Sequence, residues 1–257
     1  MKIYVVSRPN LDFEGINRFL ESEGSTWRRS FGSKCSEELI EFAGRICYFS
    51  FGRRQSPRSN EEYIRNLIES GHESVLEHSV WTFIVSGISR ALSHQLVRHR
   101  VGFSFSQLSQ QYHDESEAGF VIPKGLEERP DMLREWNLLV TDVKEAYIRI
   151  QNSMLRNRKL GEIPKEELRL IRSISRSILP NATETKIAIT ANTRALRNFI
   201  KTRGTTEGDL EIREYSCQLL TVMKNECPAA FYDMAVVECT KDGLPIVCAS
   251  NNLDTHV

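Results

Sequence analysis

The sequence predicts an α+β fold in a single domain, and three observations carry that reading. Short apolar or alternating runs rich in β-branched residues occur at KIYVVS (2–7), SVWTFIVS (79–86) and TETKIAITA (183–191), each of strand length. Long stretches between and after them repeat apolar residues at three- and four-residue steps, the period of a helix. Strands and helices come in mixed order, nothing repeats, and no segment is rich enough in Pro, Gly or Ser to separate domains. Residues 1–257 therefore read as one domain.

The elements follow in order. KIYVVS predicts a buried N-terminal strand. Ser36 is the expected N-cap of a helix, with Glu37 and Glu38 in the first turn, where carboxylates suit the helix dipole. Its apolar stripe is Leu39, Ile40, Ala43, Ile46 and Cys47. FGRRQSPRSN (51–60) combines Gly, Pro and three arginines and reads as a loop, either solvated or covering a ligand. Ser59 caps a helix over 61–69, with Gly71 just past its end. SVWTFIVS reads as a buried strand. The next helix starts near Ser89, and its polar side gathers His94, Gln95, Arg98 and His99. Met132, Trp136, Leu139, Val143, Tyr147, Ile150 and Met154 form a long stripe expected to lie in the core. Pro164 opens a helix to about Ile178, and Pro180 stops it. After the strand at 183–191 come a helix from Asn192 to about Thr202 and another from about Asp209 to Lys224.

Composition excludes several classes. Lys plus Arg and Asp plus Glu both number 34, so the net charge is zero, which argues against a nucleic-acid partner. No apolar run approaches the ~20 residues of a membrane span, and MKIYVVSRPN reads as too short and polar for a signal peptide. The expectation is a cytoplasmic protein. Cys35, Cys47, Cys217, Cys227, Cys239 and Cys248 show no CxxC spacing and read as reduced thiols rather than a metal site or disulfide framework.

Two windows carry chemistry. In LSHQLVRHRVGFSFSQLSQQY (92–112), Arg98 and Arg100 flank His99, and guanidinium forks suit phosphate and carboxylate oxygens. Ser104, Ser106, Gln107, Ser109, Gln110, Gln111 and Tyr112 follow, with Phe103 and Phe105 alternating as anchors. Two readings stand: a surface for an anionic ligand with hydrogen-bonding edges, such as a nucleotide, or a solvated helix end and polar loop. In NTRALRNFIKTRG (192–204), Ala195, Leu196, Phe199 and Ile200 face inward, leaving Asn192, Arg194, Asn198 and Arg203 for a ligand. Arg176 is an isolated arginine on an apolar turn. P-loop, GxGxxG, HExxH and GxSxG patterns are missing, and no metal site is expected.

Together GHESVLEH (71–78), HQLVRHR (94–100), SQLSQQY (106–112), RSILP (176–180), NTRALRNFIKTR (192–203) and EIREYS (211–216) resemble the flavin-dependent thymidylate synthases, the ThyX family, over about residues 36–232. The tail 233–257 lies outside the resemblance. It implies a ThyX-like fold, a mixed or antiparallel sheet flanked by long helices. It also implies a homotetramer built around FAD, which transfers a methylene from 5,10-methylenetetrahydrofolate to C5 of dUMP with a hydride ultimately from NADPH. His72, Ser74, Arg98, His99, Arg100, Gln107, Asn192, Thr193, Arg194 and Asn198 match the flavin positions. Gln95, Arg98, Gln107, Ser109, Gln110, Gln111 and Arg176 match the nucleotide positions, and Arg203 the catalytic arginine that polarises uracil.

Three departures lie near the nucleotide. Eight residues, Val101 to Leu108, separate Arg100 from Ser109 where the family usually has seven. Gln111 stands where an arginine is usual, and Ser173 where a glutamate is common. The lost charge at 111 predicts weaker dUMP binding, and a glutamine carbonyl there would suit a ribose 2′-hydroxyl. The alternatives to dUMP methylation are thus the same chemistry on another uridine nucleotide such as UMP, or a non-catalytic flavin- or nucleotide-binding homologue.

Overall fold

The computed structural model describes residues 1–156, 158, 160–239 and 241–249. The chain forms two compact units. The first comprises Met1–Lys2, Ile84–Arg98 and Phe105–Ala188; the second comprises Ile3–Phe83, His99–Ser104 and Ile189–Val257. Strands β1 (Lys2–Ser7), β2 (Val80–Ser89), β3 (Phe103–Gln107) and β4 (Glu184–Asn192) form a sheet in the order β1-β2-β4-β3. A separate antiparallel hairpin pairs β5 (Met234–Glu238) with β6 (Pro245–Ala249), Met234 lying opposite Ala249. The class is α+β, with an antiparallel sheet and helices.

β1 departs from expectation: it is not buried on both faces. Ile3 and Val5 are half-buried on one face, while Tyr4, 49% exposed, and Val6, 56%, lie on the open one.

In the first unit, Ser89 caps α4 (Arg90–Leu96) by accepting the Leu92 N–H at 3.0 Å. α5 (Pro130–Leu155) packs on α6 (Lys165–Ser175), and a short 3-10 turn, Arg176–Ile178, follows. Of the stripe expected in the core, Tyr147 is fully buried, its hydroxyl donating to Asp114 and accepting from the Glu115 amide. Met132 and Leu139 are more than half exposed, and so are Leu138 and Leu170 on the same helix pair. Periodicity fixes which side chains share a face. It does not supply a second layer to cover that face, and the described residues of the first unit leave these side chains exposed.

In the second unit, α1 (Phe13–Ser22) was not foreseen; Asp12 caps it, accepting from the Glu14 and Gly15 amides. α2 (Cys35–Tyr48) starts one residue before Ser36. Ser36 therefore does not cap it and instead donates to the Glu226 carbonyl, while Glu37 reaches back to the Lys34 amide. Ser59 and Glu62 form a reciprocal capping box on α3 (Asn60–Glu69), as the sequence predicts for Ser59. α7 (Thr193–Arg203) and α8 (Leu210–Glu226) pack together over a core that includes Phe199, Ile200, Tyr215 and Leu219. Arg197 is buried here too. Its guanidinium is bidentate to Asp233 at 2.8 and 2.9 Å, so this cation of the basic helix is structural.

Candidate active site

The predicted site residues fall into two constellations, one in each unit. The boundary between units lies within the Arg98-His99-Arg100 motif itself.

The first unit holds Gln95, Arg98, Gln107, Ser109, Gln110, Gln111 and Arg176. Gln107, on β3, donates its amide to Ser93 Oγ at 2.8 Å and Thr185 Oγ1 at 3.2 Å, which fixes the side chain and orients its carbonyl. Gln110 is buried, yet its Nε2 has no partner. An orphaned buried donor is costly unless a ligand or water satisfies it. Ser109 Oγ accepts the Gln111 amide.

Arg90 joins this set, and the sequence reading missed it. Burial pulls its guanidinium below the ordinary value; Glu115 opposes that shift, and the nearby Arg176 charge adds to it. Neither Arg90 nor Arg176 makes an ion pair among the described residues. Two neighbouring cations without an ion pair, only Arg90 having a nearby carboxyl in Glu115, favour an anionic ligand. A signal was present in the sequence: Arg90 opens a helix, the end where a cation is disfavoured.

The departures at 111 and 173 fall on one contact. Gln111 Nε2 donates to Ser173 Oγ at 3.0 Å, and Arg169 Nε donates to Gln111 Oε1 at 3.2 Å. A neutral pair replaces two opposite charges, so net charge here is unchanged, and Arg169 adds a guanidinium. The Gln111 carbonyl that would favour a 2′-hydroxyl is already engaged.

The second unit holds His72, Ser74, His99, Arg100, Asn192, Thr193, Arg194, Asn198 and Arg203. Gly102 allows the motif to lie against the start of α7. Its φ is +73°, and a Cβ there would come within 2.7 Å of Ala195 Cβ and Asn192 Nδ2. The Gly102 carbonyl accepts the Asn192 amide, and Asn192 Oδ1 caps α7 through the Ala195 amide at 2.8 Å. Thr193 is buried, with its hydroxyl between the Ser79 carbonyl and Trp81 Nε1, so its side chain serves the core. His72, Ser74, Arg100, Arg194 and Asn198 are exposed.

His99 packs edge-on against Phe199 at 4.9 Å and accepts a hydrogen bond at Nε2 from Arg203 Nε at 3.1 Å. Burial, reinforced by the Arg203 charge, lowers the imidazole below its ordinary value, so the ring is neutral at pH 7 and its proton sits on Nδ1. Arg194, Arg197 and Lys201 on the same helix are paired with Glu77 or Asp233. Arg203 has no carboxylate partner among the described residues.

A cationic cluster and one orphaned donor in the first unit, and a guanidinium without a carboxylate partner at the end of α7 in the second, are arrangements suited to anionic ligands with polar edges. Residues 32–229 match the family described as thymidylate synthase complementing protein. The chain is 40% identical over 219 residues to the flavin-dependent thymidylate synthase of Corynebacterium diphtheriae, covering 84% of this chain and 85% of that protein. It is 40% identical over 223 residues to the protein of that name from Mycolicibacterium vanbaalenii, covering 85% and 86%. This chain belongs to the flavin-dependent thymidylate synthase family.

Proposed function

We propose that the chain catalyses the reductive methylation of dUMP to dTMP, with FAD as bound cofactor, 5,10-methylenetetrahydrofolate as carbon donor and NADPH as the ultimate reductant. The observation that carries this reading, beside family membership, is Arg203: a guanidinium oriented by a neutral imidazole with its charge uncompensated.

Uracil C5 is a poor nucleophile until negative charge is drawn onto the ring nitrogen or carbonyl oxygens. A fixed guanidinium beside that edge stabilises the charge as it develops. Arginine stays protonated at neutral pH, so Arg203 is an electrostatic stabiliser and not a base. Because His99 takes Nε, the two terminal nitrogens of Arg203 remain for the substrate. Arg90, Arg98 and Arg176 supply cations for the nucleotide phosphate, and Gln95, Gln107, Ser109, Gln110 and Gln111 supply polar edges.

The second unit suits a diphosphate-bearing cofactor. The positive end of the eleven-residue α7 is flanked by Asn192 and the exposed Arg194, with Asn198 exposed on the next turn. His72, Ser74, His99, Arg100, Asn192, Arg194 and Asn198 of this unit would hold FAD, while the Thr193 side chain stays in the core. When bound, the flavin supplies the hydride. Self-association as a homotetramer accords with the exposed apolar face of α5 and α6, whose Leu138, Leu139, Leu170 and Ile174 call for cover.

The test is single turnover of the purified yellow protein with reduced flavin, methylenetetrahydrofolate and either dUMP or UMP. dTMP forming from dUMP and not from UMP is the expected result. A colourless protein that takes up no added FAD overturns the proposal, and product from UMP alone replaces the substrate.

A further inference from the structure

We infer that the C-terminal hairpin β5–β6, outside the family match, is a positioning element that sets the end of α7 and thereby Arg203. The inference rests on the proposed role of Arg203.

Four contacts support it, all within the second unit. Val247, on β6, donates its backbone N–H to the Gly204 carbonyl at 3.0 Å, one residue past Arg203. The Arg203 carbonyl accepts the Thr206 amide at 3.2 Å, so the chain leaving α7 is held on both sides of the 203–204 linkage. Asp233, immediately before β5, is bound to Arg197 and Lys201, which precede Arg203 on the helix by six and two residues. The hairpin turn is itself anchored: Asp242 accepts the Leu244 amide at 3.0 Å and pairs at 2.8 Å with Arg213 of α8, whose side chain is 1% exposed.

Gly204 shows how closely the hairpin approaches. It has an ordinary helical φ of −68°, so conformation does not demand glycine there. A Cβ would collide with the Val247 side chain. The helix end and β6 thus touch backbone to side chain, and any shift of β6 reaches Arg203 through one residue. The bland role for the hairpin is to close the small apolar cluster of Val237, Cys239, Ile246 and Cys248. That role falls to Ile246 and Cys248, on the other face of β6 from Val247, and does not need the Val247 N–H.

The experiment separates the two. Val247→Pro in the full chain keeps an apolar residue and deletes the donor. The readouts are flavin absorbance, KM for dUMP, kcat, and the His99 titration by NMR. If β6 positions Arg203, kcat falls about ten- to a hundredfold, the range set by a ~1 Å misplacement, while flavin content and KM stay within about twofold. His99, relieved of the Arg203 charge, titrates closer to its ordinary value. A kcat within about twofold of the parent, or parallel loss of kcat and flavin, overturns the inference. Should Val247→Pro not fold, Asp242→Asn loosens the anchor from a distance; a smaller kcat loss with a moved His99 supports the inference, and an unchanged kcat and His99 overturn it. If Arg203→Ala proves fully active, the catalytic reading falls, and the His99 titration alone decides whether the hairpin positions Arg203.

Discussion

The two constellations treat charge in opposite ways. In the first unit, Arg90 and Arg176 stand near one another with no ion pair among the described residues, and Gln110 carries an unspent buried donor. In the second, Arg194, Arg197 and Lys201 of α7 are paired with carboxylates, and Arg203 is held by a neutral ring. Cations left without partners raise the free energy of the empty protein and return it on binding an anion. A helix whose other charges are neutralised presents a single cation in a fixed direction. The first arrangement suits affinity, and the second suits stabilising charge that appears only during reaction.

The sharpest way to break this contrast is Arg203→Ala. Loss of one preorganised donor costs ~3–4 kcal/mol, on the order of a hundred- to thousandfold in kcat. Flavin absorbance should persist and KM for dUMP should change little. Activity within a fewfold of the parent removes Arg203 from the chemistry.

Arg176→Ala should act on affinity instead. A charge-assisted hydrogen bond contributes roughly 1.5–3 kcal/mol, so calorimetry should show dUMP binding about ten- to a hundredfold weaker, with kcat at saturation largely kept. Loss of flavin in this variant, with dUMP affinity intact, would mean the division of labour is drawn wrongly.

Gln111 and Ser173 sharpen the picture within the first unit. Gln111→Arg alone sets a second cation against Arg169, so dUMP should bind no tighter. Adding Ser173→Glu supplies the counter-charge, and a double-mutant cycle should give a favourable coupling of about 1 kcal/mol. Additive effects would show that the hydrogen bond between 111 and 173 does not report on the site.

The smallest effect is a pH shift. The folded value of His99 lies below the ordinary ~6.5 of a free imidazole, so the neutral ring that accepts from Arg203 is fully present above that value. The contact is lost, with its share of stability, as pH falls through the folded value. The acid limb of kcat should therefore lie below the ordinary imidazole range. In Arg203→Ala the His99 titration should move up part of the way, because burial, the larger cause, remains.

Much of this was legible in the sequence, and what was missed has identifiable reasons. Helices with a local signal are legible, as with the Ser59 cap of α3, because caps depend on residues a few positions apart; the start of α7 near Asn192 is legible too, although Asn192 reads as a ligand contact and not as the cap it is. Exposure was misread for β1 and for Met132 and Leu139 on α5, because burial depends on what lies beyond the element. Arg90 was missed because its meaning comes from Arg176, distant in sequence. The pairing of Gln111 with Ser173 was invisible for the same reason, although each substitution alone was noticed. The Arg98–Arg100 and 192–203 windows were readable because their residues are contiguous, while the pairing of His99 with Arg203 came only from the fold.

The extra residue between Arg100 and Ser109 has a consequence for how such chains can vary. β3 alternates, with Phe103, Phe105 and Gln107 half-buried and Ser104 and Ser106 exposed. One residue added inside it would exchange the two faces, turning Gln107 to solvent and a serine inward. Just before it, Val101 is 90% exposed and Gly102 already takes a left-handed turn. Length can change at that turn without disturbing the alternation that follows. The turn therefore acts as a reading-frame buffer: a residue added at the exposed Val101 leaves the faces of β3 in phase, whereas one added two or three residues later exchanges them.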